Sequence, residues 1–192
     1  MLRFVEARDA SAIAAIFAPY AETGGISFAA RAPTPAEWEK KIGEILPQFP
    51  FLVFEAGGVV TAYAYASPHR TLAAYRWCCE ASIYVDATAQ RRGAASALYT
   101  ALIELLRLQG FHNAYAGIML PNLASTALHE KFGFRHFATF ERIGWKLGRW
   151  RDVGWWELKL QPEQGDDAPA EPRAFAAVQK EERASVSRIL GR

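Results

Sequence analysis

The run Glu80-Ala-Ser-Ile-Tyr-Val85, followed by Gln90-Arg-Arg-Gly-Ala-Ala95 and a long apolar-periodic segment, reads as a strand, a short loop and a helix. That order builds an anion site. A helix start leaves backbone N–H groups without partners and carries partial positive charge, so a diphosphate placed there gains hydrogen bonds and a favourable dipole together. Gly93 and Ala95 let the main chain approach a ligand closely, and Arg91 and Arg92 add full positive charge at the rim. The loop lacks the Lys-Ser/Thr ending of a Walker loop and the three-glycine fingerprint of a dinucleotide fold, so a different nucleotide-bearing cofactor is expected.

Elements alternate along the chain. Leu2 to Glu6 predicts a short strand, and Asp9 an N-cap for a helix whose Ile13, Ile16, Phe17 and Tyr20 share one face. Thr34-Pro-Ala-Glu37 combines an N-cap, a proline in the first turn and a capping-box glutamate, so a second helix should run to about Leu46 and bury Trp38, Ile42 and Ile45. Phe51 to Glu55 and Val59 to Ala66 read as strands of a hairpin turned by Gly57-Gly58. The next strand, about Arg76 to Asp86, places Trp77, Cys79, Ala81, Ile83 and Val85 on one face and Cys78, Glu80, Ser82 and Tyr84 on the other.

From Arg92 to Gln109, Ala94, Leu98, Leu102, Leu105 and Leu106 keep helical spacing, and Gly110 suits the C-terminal stop. Tyr115 to Leu120 reads as a strand. Asn122 can cap a helix that carries Ser125, His129 and Phe132 on one stripe and ends at Gly133. Arg135 to Arg142 and Val153 to Leu160 complete a mixed, mostly antiparallel twisted sheet flanked by helices on both faces, an α+β fold.

Residues 1–161 are expected to form one domain. The acidic, proline-containing stretch Glu163 to Arg173 reads as a linker, and Phe175, Val178, Val186 and Ile189 as a weakly amphipathic tail within residues 162–192. The tail could serve a dimer contact or move freely, and the sequence favours neither.

Bulk properties narrow the function. Lys+Arg number 22 against 20 Asp+Glu, a net charge of +2 that gives no basis for nucleic acid as the main partner. No apolar run reaches membrane-spanning length and the first residues carry charges where a signal peptide needs an apolar core, so a cytoplasmic location is expected. Cys78 and Cys79 are strand neighbours that point to opposite faces, which suits packing residues and makes a poor disulfide or metal site.

Further blocks extend the loop. Thr34-Pro-Ala-Glu-Trp38, Tyr75-Arg-Trp-Cys-Cys-Glu-Ala-Ser-Ile-Tyr-Val85, Leu98-Tyr-Thr-Ala-Leu102, Gln109-Gly-Phe111, Leu120-Pro-Asn122, Leu128-His-Glu130, Phe132-Gly-Phe134 and Trp150-Arg-Asp-Val-Gly-Trp-Trp156 appear in that order. Together they resemble the phosphinothricin N-acetyltransferase branch of the GNAT superfamily, over about Arg3 to Leu160. The resemblance implies the three-layer GNAT fold, a homodimer, acetyl-CoA as co-substrate without a metal, and transfer of the acetyl group to the α-amino group of a small amino-acid-like molecule. Acetylation of a peptide or protein amine, and a catalytically silent acyl-CoA sensor, are the alternatives.

An amine must lose a proton before it attacks a thioester, so such an enzyme needs a base, an oxyanion donor and a proton for the departing sulfur. Glu80 matches the family's catalytic glutamate; a strand carboxylate paired with Arg76 is its ordinary alternative. His129 matches the family's helix histidine in a relay or acid role, or is simply packed. The resemblance implies acetyl-CoA contacts from Ile83, Tyr84 and Val85, from Gln90, Arg91, Arg92, Gly93, Ala94 and Ala95, and from Asn122 and Ser125, with Ile83 and Val85 pairing to pantetheine amides like an added strand. Asn122 is equally explained as a helix cap.

Phe28, Arg70 and Tyr75 are the expected substrate contacts. The branch's basic substrate anchors are thinned here, because Ala29 follows Phe28 and Leu72 stands at the second basic position beyond Arg70. Direct attack in a ternary complex is expected rather than an acetyl-cysteine route, and Trp145, Trp150, Trp155 and Trp156 are read as core or dimer-interface aromatics.

Overall fold

Gly57 and Gly58 take φ of +59° and +80°, left-handed values that a tight hairpin needs, and fold Phe51–Ala56 (β2) back onto Val59–Pro68 (β3). The computed structural model describes residues 1–23, 26–90, 92–162, 165 and 168–191. Leu2–Phe4 (β1) pairs antiparallel with β2, and β3 pairs antiparallel with Cys78–Val85 (β4) in a register that sets Tyr63 opposite Tyr84 and Ser67 opposite Glu80. Asn113–Leu120 (β5) is parallel to β4, then Arg149–Lys159 (β7) and Arg135–Lys146 (β6) continue antiparallel, giving one sheet in the order β1-β2-β3-β4-β5-β7-β6.

Helices cover the sheet. Ala10–Glu22 (α1) and Pro35–Ile45 (α2) pack against each other, with α1 over β3 and β4, while Ala94–Gln109 (α3) lies over β2, β3 and β4. The uninterrupted buried run Ala62 to Ala66 in β3 shows that both of its faces are covered. Leu98, Leu102, Leu105 and Leu106 of α3 are fully inaccessible, each contributing about 1.5–3 kcal/mol by leaving water. In α2 the capping box forms as expected: Thr34 Oγ1 accepts from Glu37 N at 3.3 Å and the Glu37 carboxylate accepts from Thr34 N at 2.7 Å. Trp38, Ile42 and Ile45 are its buried stripe.

Two expectations need correction. Asp9 does stand at the N-cap position of α1, but its carboxylate makes no cap hydrogen bond to that helix; it ends a 3-10 turn at Ala7–Asp9 and accepts a bidentate pair from Arg3 at 2.7 and 2.9 Å and the Glu6 N–H at 2.8 Å. Arg3 also donates to Glu55 at 2.9 Å, so one buried guanidinium joins β1, β2 and the start of α1. The final two strands are longer than the expected Arg135 to Arg142 and Val153 to Leu160. Their turn uses Leu147 at φ +51° and Gly148 at +72°, and irregular register between His136 and Ala138 and between Phe140 and Gly144 breaks the two-residue alternation that would mark a strand.

The tail contains two short helices. It forms Phe175–Glu181 (α5) and Arg183–Ile189 (α6), with Phe175 and Val178 fully buried against the domain. Gln109 clips it by donating to the carbonyls of Gln48 and Arg173, both at 2.8 Å. Glu163, Gln164, Asp166 and Asp167 of the expected linker lie outside the described residues. Cys78 and Cys79 are both free; Cys79 is buried, and burial pushes its thiol well up, which suits packing rather than nucleophilic chemistry. Among the described residues no helix is long and apolar enough to cross a membrane, and none group as a metal site.

Burial pushes the Asp9 carboxyl up, but the Arg3 hydrogen bonds and the Glu6 N–H outweigh it and hold it below its ordinary value. Asp9→Ala leaves the buried Arg3 guanidinium with the Glu55 carboxylate as its remaining acidic partner and is predicted to cost about 1.5–3 kcal/mol. Chemical denaturation checks this, and an unchanged midpoint would contradict the bridging role.

Candidate active site

The parallel pairing of β4 and β5 ends almost as soon as it begins. Cys78 sits opposite Asn113, Cys79 opposite Ala114 and Glu80 opposite Tyr115, and there the register stops, although β4 runs on to Val85 and β5 to Leu120. Parallel strands that part in this way turn their facing main-chain groups toward a cleft. Cavities open on the fork, sharing Ser82, Tyr84, Gly117 and Met119 in their walls; one reaches Glu80 and the other Asn122, Ser125 and His129. Glu80 lies at the fork itself.

Beyond Val85 the chain makes a 3-10 turn at Ala87–Ala89, capped by the Asp86 carboxylate accepting from Thr88 N at 2.8 Å. Gln90 is extended and exposed, and so is the Arg92 side chain to solvent. Gly93 enters α3 at φ +85° and ψ −11°, with open space where a Cβ would stand. Its left-handed backbone, rather than crowding, is what calls for glycine. The first-turn N–H groups of Ala94, Ala95 and Ser96 have no earlier carbonyl in the helix to reach. The Ala94 methyl is buried, so any ligand contact from that residue is through its main chain. Arg91 lies outside the described residues. Lys131 of Leu123–Lys131 (α4) adds a cation beside this turn by donating to Ser96 Oγ at 3.1 Å, a neighbour that a separation of 35 residues hides in the sequence.

Main-chain groups of Ile83 and Val85 border the fork. Tyr20 donates to the Val85 carbonyl at 2.5 Å, which fixes its direction while leaving a second lone pair. Tyr84 lies edge-on to Phe17 and Tyr20 and stacks on Tyr63, so its ring holds α1 to the sheet as well as lining the cleft.

Glu80 is part of a charged and aromatic cluster. Its Oε1 lies 3.0 Å from His69 Nδ1 and 3.5 Å from Arg70 Nη1, with its side chain 31% exposed. Arg76, the alternative partner, pairs with Glu171 instead. Arg70 stands over the Trp155 ring at 5.9 Å, and Tyr75 meets the His69 ring edge-on at 6.1 Å, so Arg70 and Tyr75 do gather at the glutamate. Phe28 lies across the cavity against Gly144, where a Cβ would collide with its ring. Its loop is held by Lys146, which donates to the carbonyls of Ala21 and Ala29. The Glu80 cavity, about 400 Å³, has further walls from Met119, Phe140, Ile143 and Trp155.

His129 stands apart from this cluster. It is 3% exposed, its Nδ1 donates to the Ser125 carbonyl at 2.7 Å and its Nε2 accepts from the Tyr99 hydroxyl at 2.7 Å. Burial lowers its pKa against a smaller opposing effect of the Ser125 carbonyl, so it is held neutral with both nitrogens engaged. That arrangement favours a fixed support of the cleft wall over a proton relay. Asn122 caps α4, its side-chain oxygen accepting from Ser125 N at 3.2 Å.

A family profile described as an acetyltransferase (GNAT) domain matches residues 2–155. Among characterised proteins, a phosphinothricin N-acetyltransferase of Streptomyces viridochromogenes is 37% identical over 92% of this chain and 93% of its own. An L-methionine sulfoximine/L-methionine sulfone acetyltransferase of Salmonella typhimurium is 38% identical over 62% of this chain and 70% of its own. The crystal structure of a GNAT superfamily phosphinothricin acetyltransferase from Sinorhizobium meliloti in complex with acetyl-CoA superposes with a TM-score of 0.83 and 31% identity, covering 89% of this chain and 93% of that one.

The His129 environment makes a pH-dependent contribution to stability. Its folded pKa lies below the ordinary 6.5, so the unfolded chain binds the proton more readily; the contribution is full above about pH 6.5 and is lost as pH falls through the window beneath it. His129→Gln should therefore cost more stability at pH 7.5 than at pH 5, about 1–3 kcal/mol at the higher pH from the disturbed Tyr99 and Ser125 partners. Paired denaturation curves at the two pH values check the sign, and an equal loss at both would reject it.

Proposed function

The chain belongs to the GNAT acetyltransferase family, and we propose that it transfers the acetyl group of acetyl-CoA to the α-amino group of a small amino-acid-like substrate by direct attack in a ternary complex. The observation that carries this reading is Glu80 at the fork of β4 and β5, with the anion-binding turn of α3 at the far end of the same strand. Relatives named for phosphinothricin and for methionine sulfoximine or sulfone support an α-amino acceptor.

The residues fit acetyl-CoA. Gln90, Arg92, Gly93 and the main-chain N–H groups of Ala94 and Ala95 suit its diphosphate, with Arg91 of the same loop adding charge. Ile83 and Val85 offer main-chain groups to the pantetheine amides, Tyr84 and Ser125 line the passage, and Asn122 borders it. Acetyl-CoA supplies an acetyl thioester, an acyl group activated toward amines.

Glu80 acts as the base. Of the substrate ammonium's three protons, one goes to Glu80 and on to solvent, one goes to the departing sulfur, and one stays on the amide nitrogen; the C–N bond forms and the thioester C–S bond breaks. Arg70 is the cation beside this carboxylate and suits an acceptor's own carboxylate, while Tyr75 and Phe28 flank it. The aliphatic and aromatic walls suit an acceptor with an apolar body and a single anionic group. His129, engaged at both nitrogens, supports the wall.

A homodimer is part of this proposal. Ile143, Trp145, Leu147 and Trp150 of the β6–β7 hairpin, with Phe137, leave a large apolar surface exposed. Sedimentation is expected to give the mass of two chains, reduced by Trp145→Glu, and a monomer at micromolar concentration would reject this.

Release of coenzyme A thiol, measured with acetyl-CoA and a panel of amino acids, amines and short peptides, tests the activity. Glu80→Gln is predicted to lower kcat by about 10²–10⁴-fold while calorimetry finds acetyl-CoA binding retained. Turnover of peptides alone would redirect the substrate assignment, and an unaltered rate in Glu80→Gln would remove the base.

A further inference from the structure

His69 is the side chain nearest the Glu80 carboxylate that the reaction outlined above does not use. It follows Pro68, the last residue of β3, and the β3–β4 register brings it across the strand to Glu80. Its Nδ1 lies 3.0 Å from Glu80 Oε1, and its side chain is only 14% exposed. The ring is held on several sides: it lies over Tyr115 at 4.6 Å with a tilt of 31°, and meets Trp155 edge-on at 6.0 Å and Tyr75 edge-on at 6.1 Å. Burial, and then the Glu157 carboxylate that accepts its hydroxyl at 3.0 Å, pushes the Tyr115 phenol up, so this stacking partner remains uncharged. Arg70 closes the outer side, donating to the His69 carbonyl at 2.9 Å and reaching Glu80 Oε1 at 3.5 Å.

A carboxylate accepts and does not donate, so the short contact requires a proton on His69 Nδ1. His69 and Arg70 both meet Oε1, not Oε2. We infer that His69 is a positioning residue for acetyl transfer: an aromatic cage fixes its imidazole, whose Nδ1–H holds Oε1 of Glu80 and so aims Oε2 at the substrate ammonium. This rests on the reading of Glu80 as the base. A glutamate has three rotatable bonds, and a base displaced by about 1 Å can lose about a hundredfold in rate. A donor on one oxygen removes that freedom, and it does so from a ring that is itself packed.

Two variants separate the hydrogen bond from the packing. His69→Phe keeps a ring against Tyr115 and removes the donor, whereas His69→Asn removes the ring and offers an amide donor near the position of Nδ1. The expected result is a fall in kcat of about 10–100-fold in His69→Phe, with KM for acetyl-CoA unchanged, and recovery of most of that loss in His69→Asn. Wild-type kcat in His69→Phe, or an Asn variant no better than Phe, overturns the inference.

Nitrogen-resolved NMR of the imidazole supplies a readout that needs neither turnover nor a stable variant at 69. His69 Nδ1 should carry a proton in the wild type, and the ring should shift toward the Nε2–H tautomer in Glu80→Ala. A wild-type ring with no proton on Nδ1 overturns the positioning role even if the enzyme is active. An inactive wild type with the Nδ1–H tautomer in place sinks the function proposed above and leaves the hydrogen bond standing.

Discussion

Parting of β4 from β5 after Glu80↔Tyr115 is the constraint on which the site depends. Backbone polar groups in a sheet interior are costly unless paired, and β4 is an interior strand with β3 along its other edge. Where β5 departs, the facing groups of β4 must meet solvent or a ligand. The fork therefore creates three things together: a polar edge for an extended ligand, a passage through the sheet, and a residue at its apex. Glu80 occupies that apex, and the turn into α3 lies at the other end of the same strand, so one element sets the distance between the carboxylate and the unpaired N–H groups of the first helical turn.

The surroundings divide the titratable groups by role. Glu80 keeps partial access to solvent among His69, Arg70 and aromatic rings. His129 is sealed between Ser125 and Tyr99, and burial lowers its pKa, so it serves the wall of the second cavity as a neutral, doubly bonded group. Cys79 is likewise removed from chemistry by burial. Two histidines that look similar in the sequence thus differ because one faces a carboxylate and the other a carbonyl and a phenol.

The rest of the fold holds this fork open and aligned. Tyr84 ties β4 to Phe17 and Tyr20 of α1, while Tyr20 reaches the Val85 carbonyl. Arg3, bridging Asp9 and Glu55, fixes the far edge of the sheet to the start of α1. The tail closes the opposite end: Arg76 pairs with Glu171 and Trp77 donates to the Ala170 carbonyl at 3.0 Å, immediately before the strand that carries Glu80. Lys146 anchors the Phe28 loop against β6, and Gly144 leaves room for the Phe28 ring.

Local signals were legible in the sequence: the Thr34–Glu37 capping box, the Gly57-Gly58 hairpin, the periodic face of α3, the glycine at 93 and the Asn122 cap all depend on residues within about one turn of each other. The α+β class and the strand carrying Glu80 followed from those. Asp9 holds the cap position that its residue type suits, but a guanidinium on β1 takes its oxygens in place of the helix N–H groups. The β6–β7 hairpin is longer than its pattern suggests because register shifts between His136 and Ala138 and between Phe140 and Gly144 break the two-residue alternation. His69 beside Glu80, Lys131 beside Ser96 and Tyr99 against His129 were invisible, since pairing of strands and packing of helices brings them together across 11, 35 and 30 residues. Sequence alone determined which elements form and which strand bears the carboxylate, because caps, turns and periodicity act over a few neighbours. Tertiary structure alone decided which groups surround that carboxylate, because register and packing are set by the whole sheet.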